Sequence, residues 1–168
     1  MMKKILIVLL SVMLLSGCRG SNVISNGAKE EYDDLIKLIQ EREDFADGSE
    51  FFDVTYDISK IEEGYRFYII IDNVRTAMYD ITAVAVEKNV DYSERMAANI
   101  GIFEENEYSL IPNQYNIDEN FVKGINLSGT TDTAQPVLYL LVEWHKKDMS
   151  LSYREFIRID MTSGDTNE

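Results

Sequence analysis

Residues 137–145 read Val-Leu-Tyr-Leu-Leu-Val-Glu-Trp-His, residues 146–150 Lys-Lys-Asp-Met-Ser, and residues 151–159 Leu-Ser-Tyr-Arg-Glu-Phe-Ile-Arg-Ile. Leu138, Leu140, Val142 and Trp144 recur at every second position, a period that puts them on one face of a strand and on no single face of a helix. Pro136 stands just in front, where its missing N–H costs the ladder nothing. Lys146-Lys147-Asp148-Met149 has the composition of a turn, and Leu151, Tyr153, Ile157 and Ile159 line a return strand. The pair reads as an antiparallel hairpin.

Working upstream, the period of two persists. Phe52, Val54, Tyr56 and Ile58 alternate with polar residues. Tyr65, Phe67, Ile69 and Ile71 form a second strand ending at Asp72-Asn73. Met78 to Val86 is apolar on both faces, as a central strand requires. Phe121 to Leu127 alternates again ahead of a loop around Gly129. Weaker strands are expected around Ile100 to Phe103 and Tyr108 to Ile111. Tyr92 to Asn99 suits a short helix, and Glu104, Glu105 and Glu107 mark a loop or exposed edge. Six clear strands with no alternating helices between them predict a mainly β fold, an antiparallel β-sandwich. In pattern it resembles immunoglobulin-like or fibronectin-like domains. It lacks the paired inter-sheet cysteines of antibody domains, so Trp144 is not assigned as their central tryptophan.

One amphipathic helix precedes the strands. Ala28, Tyr32, Leu35, Ile36 and Ile39 share a face between Ala28 and about Glu43, with Ser25 or Asn26 as cap and Glu30 and Glu31 in the first turn. A stripe of this width is read as covering its own domain. The chain has 168 residues, 16 Lys+Arg against 30 Asp+Glu and a formal charge of -14. That balance opposes nucleic acid, whose binding depends on cations releasing phosphate counterions. One cysteine permits no internal disulfide and no cysteine-rich zinc site.

That cysteine lies in the most informative N-terminal stretch. Lys3 and Lys4 precede Ile5 to Leu15, an apolar run interrupted only by Ser11. Spanning about 16 Å as a helix, the run is too short to cross a bilayer and has the form of a secretory signal peptide. Leu15-Ser16-Gly17-Cys18 then resembles the lipobox of bacterial lipoproteins. The resemblance implies cleavage between Gly17 and Cys18, a diacylglyceryl group on the Cys18 thiol, a further acyl chain such as palmitate on the new N-terminus, and residence on the outer face of the cell membrane. Two acyl chains suffice for stable anchoring, where one is marginal. Loss of Lys3 and Lys4 leaves 14 Lys+Arg against 30 carboxylates, a charge of -16. This acidity is read as a solvated surface that keeps the domain off anionic lipid. The expected organisation is a signal peptide over 1–17, lipid anchor and tether over 18–27, helix over 28–45, sandwich over 50–161 and polar tail over 162–168.

Chemistry-bearing motifs are sparse. There is no glycine-rich phosphate loop, zinc-protease helix, nucleophile elbow or calcium loop. No cofactor is implied. His145, the sole imidazole, is read as an outward-facing hairpin residue. Asp118-Glu119 with Asn116 and Asn120, and Asp72-Asn73 with Asp80, offer oxygen ligands for Ca²⁺ without the spacing of a calcium loop, and are read as solvated turns. Among ten tyrosines, Tyr68, Tyr79 and Tyr139 fall on the faces opposite the apolar alternation and are the candidate binding surface. The expected function is a non-enzymatic, membrane-anchored binding or interaction module of the cell envelope with an unidentified protein partner. Alternatives are a cell-wall hydrolase using a carboxylate pair and a small-ligand-binding lipoprotein.

Overall fold

The computed structural model describes residues 25–161. The segments expected to be signal peptide, lipid anchor with Cys18 and tether up to residue 24, and polar tail over 162–168, lie outside the described residues.

Helix α1 (Asn26–Glu41) is set by its cap. Ser25 is extended, and its hydroxyl accepts a hydrogen bond from the Ala28 N–H at 3.1 Å. The helix therefore begins at Asn26 rather than Ala28, and no acidic residue stands in its first turn. It also stops at Glu41, short of 43–45. Arg42 turns extended there, donating its N–H to the Ile39 carbonyl and its Nε to the Asp44 carbonyl. Tyr32, Leu35 and Ile39 are the buried stripe.

Nine strands follow: β1 (Asp53–Lys60), β2 (Tyr65–Asp72), β3 (Tyr79–Glu87), β4 (Ala98–Ile100), β5 (Ser109–Leu110), β6 (Phe121–Val122), β7 (Gly124–Thr131), β8 (Val137–His145) and β9 (Ser152–Asp160). They form a three-stranded sheet β1-β2-β7 and a four-stranded sheet β4-β3-β8-β9, both antiparallel, with a small parallel pair β5-β6. Lettered in chain order, this is ABE against C′CFG. The immunoglobulin constant arrangement would put a fourth strand D beside E. Here β4 instead pairs with β3 on the opposite sheet.

Phe67, Ile69, Ile71, Ile125 and Leu127 of one sheet pack against Ile81, Ala83, Ala85, Leu138, Leu140, Val142 and Trp144 of the other. A second apolar layer lies on the far side of the four-stranded sheet, where Tyr32, Leu35 and Ile39 meet Val84, Val86 and Leu141, with Ala97 and Ile102 at the rim. The order of layers is thus helix, four strands, three strands. That order explains why β3 is apolar on both faces. The free edge of β9 is covered by Ala46, which donates to the Phe156 carbonyl and accepts from the Arg158 N–H.

Two segments differ from the expected pattern. Gly129 is not in a loop: β7 continues to Thr131, and Gly129 sits opposite Phe67, whose ring occupies the space a Cβ would need, with Cζ 2.4 Å from that position. Residues 92–97 are not helical. The Tyr92 hydroxyl accepts from the Glu87 N–H at 2.7 Å, and Gln40 Nε2 donates to the Glu87 and Val90 carbonyls, so the chain is pinned in a bent, irregular connection to β4. Past β4, Gly101 (φ +83°) lies so close to the Ile81 carbonyl that a Cβ would meet it at 2.1 Å. From there the chain runs to Leu110, which bridges Met78 through hydrogen bonds of 2.8 and 2.9 Å.

Candidate binding surfaces

The three tyrosines occupy different surfaces. Tyr139 lies on the outer face of the four-stranded sheet, where α1 and the chain after it cover it. Its ring meets Phe45 edge-on at 4.6 Å, Lys88 Nζ sits 5.0 Å above it, and Arg158 is hydrogen-bonded to its hydroxyl. Tyr79, at the start of β3, packs edge-on against Phe121 at 6.4 Å. Of the three, Tyr68 stands on the sheet whose outer face no described residue covers.

That sheet's outer face follows from register. Tyr68 lies between Asp57 of β1 and Ser128 of β7, and Ile70 between Thr55 and Asn126. Thr55, Asp57, Asn126 and Ser128 are all exposed, and Ile70 is 40% exposed. A tyrosine and an isoleucine are thus ringed by hydrogen-bonding side chains on a flat, accessible sheet. Sequence reasoning missed Ile70, although it breaks the Phe67-Ile69-Ile71 alternation. An apolar residue out of phase with its strand was the available signal.

The other candidates are dispersed. His145 is outward-facing and half-buried on the outer face of β8, with Nδ1 lacking a hydrogen-bond partner among the described residues; Glu155 Oε2, on the inner face of β9, is likewise unpartnered. Asn116 caps the short turn Ile117–Glu119 by accepting from the Asp118 N–H, and Asn120 closes it in the left-handed conformation. Asn73 and Arg75 both donate to the Asp53 carboxylate, holding it below the usual carboxylate range. Partial desolvation of its carboxyl raises the Glu31 pKa, with smaller contributions from the negative charges of Glu143 and Asp80. Glu31 is solvent-exposed and Glu143 is paired with Arg154, so these carboxylates do not face one another across a buried cleft. The surface depressions are open. One, of about 290 Å³, is lined by Asn73, Val74, Ile111, Tyr115, Val122 and Lys123 among others.

Among the described residues, no helix is long and apolar enough to span a membrane. The chain matches no protein-family model, no curated protein and no solved structure.

Proposed function

We propose that this protein is a lipid-anchored, extracytoplasmic binding module that engages an envelope protein through the outer face of β1-β2-β7. The observation that carries the reading is the asymmetry of the sandwich. The chain spends α1 and residues 42–46 on covering one sheet and leaves the other bare, with Tyr68 and Ile70 at its centre. An aromatic and an aliphatic anchor within a polar surround is the composition of a protein-recognition patch.

A photo-crosslinking residue placed at position 70, and separately at Lys37 on the solvent side of α1, tests this in intact cells. The expected result is a discrete adduct from position 70 that disappears in Tyr68→Ser and is not formed from position 37. Equal labelling from both positions, or release of soluble fragments from peptidoglycan by the purified protein, would overturn it in favour of a passive surface or of the hydrolase.

A further inference from the structure

Exposed apolar side chains concentrate at one end of the sandwich. Six of the nine large exposed ones among the described residues are Phe51, Tyr115, Ile117, Met149, Leu151 and Tyr153. All belong to the end where β1 and β3 begin and β2 and β8 finish. Phe51 accepts from the Arg75 N–H and lies 5.7 Å from Trp144; Tyr153 stacks on Trp144; Leu151 accepts from Lys146 within the hairpin turn; Tyr115 shares a groove with Asn73 and Val74. Ile117 precedes Phe121, whose ring rests on Tyr79.

Cations also gather in the hairpin turn of this end. The connections 48–52, 73–78, 111–123 and 146–151 hold Arg75, Lys123, Lys146 and Lys147 against Glu50, Asp118, Glu119 and Asp148. Glu104, Glu105 and Glu107 lie on the β4 side of the same end, because their segment leaves at Gly101 beside Ile81 and returns at Tyr108, whose carbonyl accepts from the Ile81 N–H. The turn itself, with Lys146 and Lys147 against Asp148, is net positive. Connections at the opposite end, 61–64, 88–97 and 132–136, hold Lys88 and Arg95 against Glu62, Glu63, Asp91, Glu94 and Asp132, and one large exposed apolar residue, Met96.

The N-terminal segment leaves α1 toward this apolar end: Gln40, in the last turn of the helix, is hydrogen-bonded to Glu87, Asn89 and Val90 at the opposite end, and Glu31, nine residues earlier, is within electrostatic reach of Glu143 and Asp80. Seven Cα steps separate Cys18 from Ser25, a reach of at most about 25 Å.

We propose that this end rests on the bilayer: Met149, Leu151 and Tyr153 enter the headgroup layer while Lys146 and Lys147 meet lipid phosphate. The proposal builds on the reading of Cys18 as the lipidated residue. Tyrosine and snorkelling lysine are the side chains that suit this interface. Salt screens charges beyond about 8 Å, so those nearest the surface count most, and in the hairpin turn Lys146 and Lys147 outnumber Asp148. The strands then stand upright, with the β1-β2-β7 face open to the side.

The test uses the full chain, whose only native thiol is consumed by lipid. Met149→Cys or, at the opposite end, Glu63→Cys carries an environment-sensitive fluorophore, and the protein is reconstituted into vesicles containing phosphatidylglycerol. The expected result is that the label at 149 is quenched several-fold more by a lipid-borne quencher than the label at 63, and is shielded from aqueous acrylamide. Adding Lys146→Glu and Lys147→Glu restores acrylamide access at 149 while the protein still floats with the vesicles. Equal acrylamide access at both positions in the original background overturns the seating but leaves the anchor intact. Fluorophore on Cys18 itself overturns the anchor reading, and the seating with it.

Discussion

Trp144 and Tyr153 face each other across the β8-β9 ladder, their rings stacked 5.5 Å apart with planes 15° from parallel. Trp144 is 2% exposed and Tyr153 37%, so the tyrosine is the lid on the tryptophan. Phe51 and Phe52 close the other sides at 5.7 and 6.0 Å. Tyr153→Ser is expected to cost about 1 kcal/mol of stability, the size of an aromatic cross-strand pair. Because the chain has one tryptophan, its emission reports the change directly, with a shift to longer wavelength as water reaches the indole. An unchanged emission maximum would show that the tyrosine is not what shields it.

Gly129 and Phe67 make a reciprocal fit within the inter-sheet core. A methyl at position 129 would overlap the Phe67 ring, so Gly129→Ala is expected to destabilise by about 1–3 kcal/mol through overpacking. Shortening the partner separates this from any loss of backbone freedom. In the background of Phe67→Leu, itself destabilising, the further cost of Gly129→Ala shrinks. Additive costs in the denaturation midpoints of the four proteins would rule out the ring as the cause.

The Tyr32 hydroxyl is a buried polar tie between α1 and the chain entering β4, alongside the Gln40 bonds near the helix's other end. It accepts from the Ala97 N–H at 2.6 Å in a buried site just before β4. Tyr32→Phe removes the acceptor and keeps the ring, leaving a buried donor unsatisfied at a cost of about 1–3 kcal/mol. Hydrogen exchange at the Ala97 amide is expected to accelerate beyond the global loss of stability. Exchange that tracks global stability alone would place the tie elsewhere.

These three sites show what was legible in the chain and what was not. The hairpin and the stripe Tyr32, Leu35, Ile39 are local periodicities, and both appear where the spacing puts them. Strand order is not local: nothing in β4 announces that it joins β3 rather than β7. Tyr56 shares the alternation of Val54 and Ile58 yet is 41% exposed, because β1 is an edge strand and its hydroxyl reaches across to the Asp160 carbonyl. Tyr68 and Tyr139 look alike in sequence, each out of phase with an apolar strand. They part because α1 and Phe45 settle on one sheet and leave the other bare. Periodicity along a strand cannot report that choice, and the candidate surface depends on it.

Ser25 ends the segment that leads from Cys18 and starts α1. Ser25→Ala removes the acceptor for the Ala28 N–H and is expected to cost about 1 kcal/mol, with Ser25→Gly costing only a few tenths. The loss should appear as faster exchange of the first-turn amides. Equal effects of Ala and Gly would exclude the cap as its origin.

Opposite pH dependences are expected from Glu31 and Asp53. Burial raises the Glu31 pKa above its ordinary 4.5, with Glu143 and Asp80 adding to it. Between the ordinary and raised values the native state therefore holds more protons than the unfolded chain, and stability falls as pH rises through that window. Glu31→Gln is expected to raise the melting temperature at neutral pH and to change little below the window. At Asp53 the hydrogen bond from Asn73, then Arg75, lowers the pKa, so its contribution is present above the ordinary carboxylate value and disappears as pH falls through the depressed one. Asp53→Asn should therefore lower the melting temperature at neutral pH, and the difference from the parent should shrink as pH falls through the depressed value. Melting curves across pH for the two variants test both signs. A Glu31→Gln protein less stable than its parent at neutral pH would show that the Glu31 carboxylate makes a favourable contact that outweighs its burial beside Glu143 and Asp80.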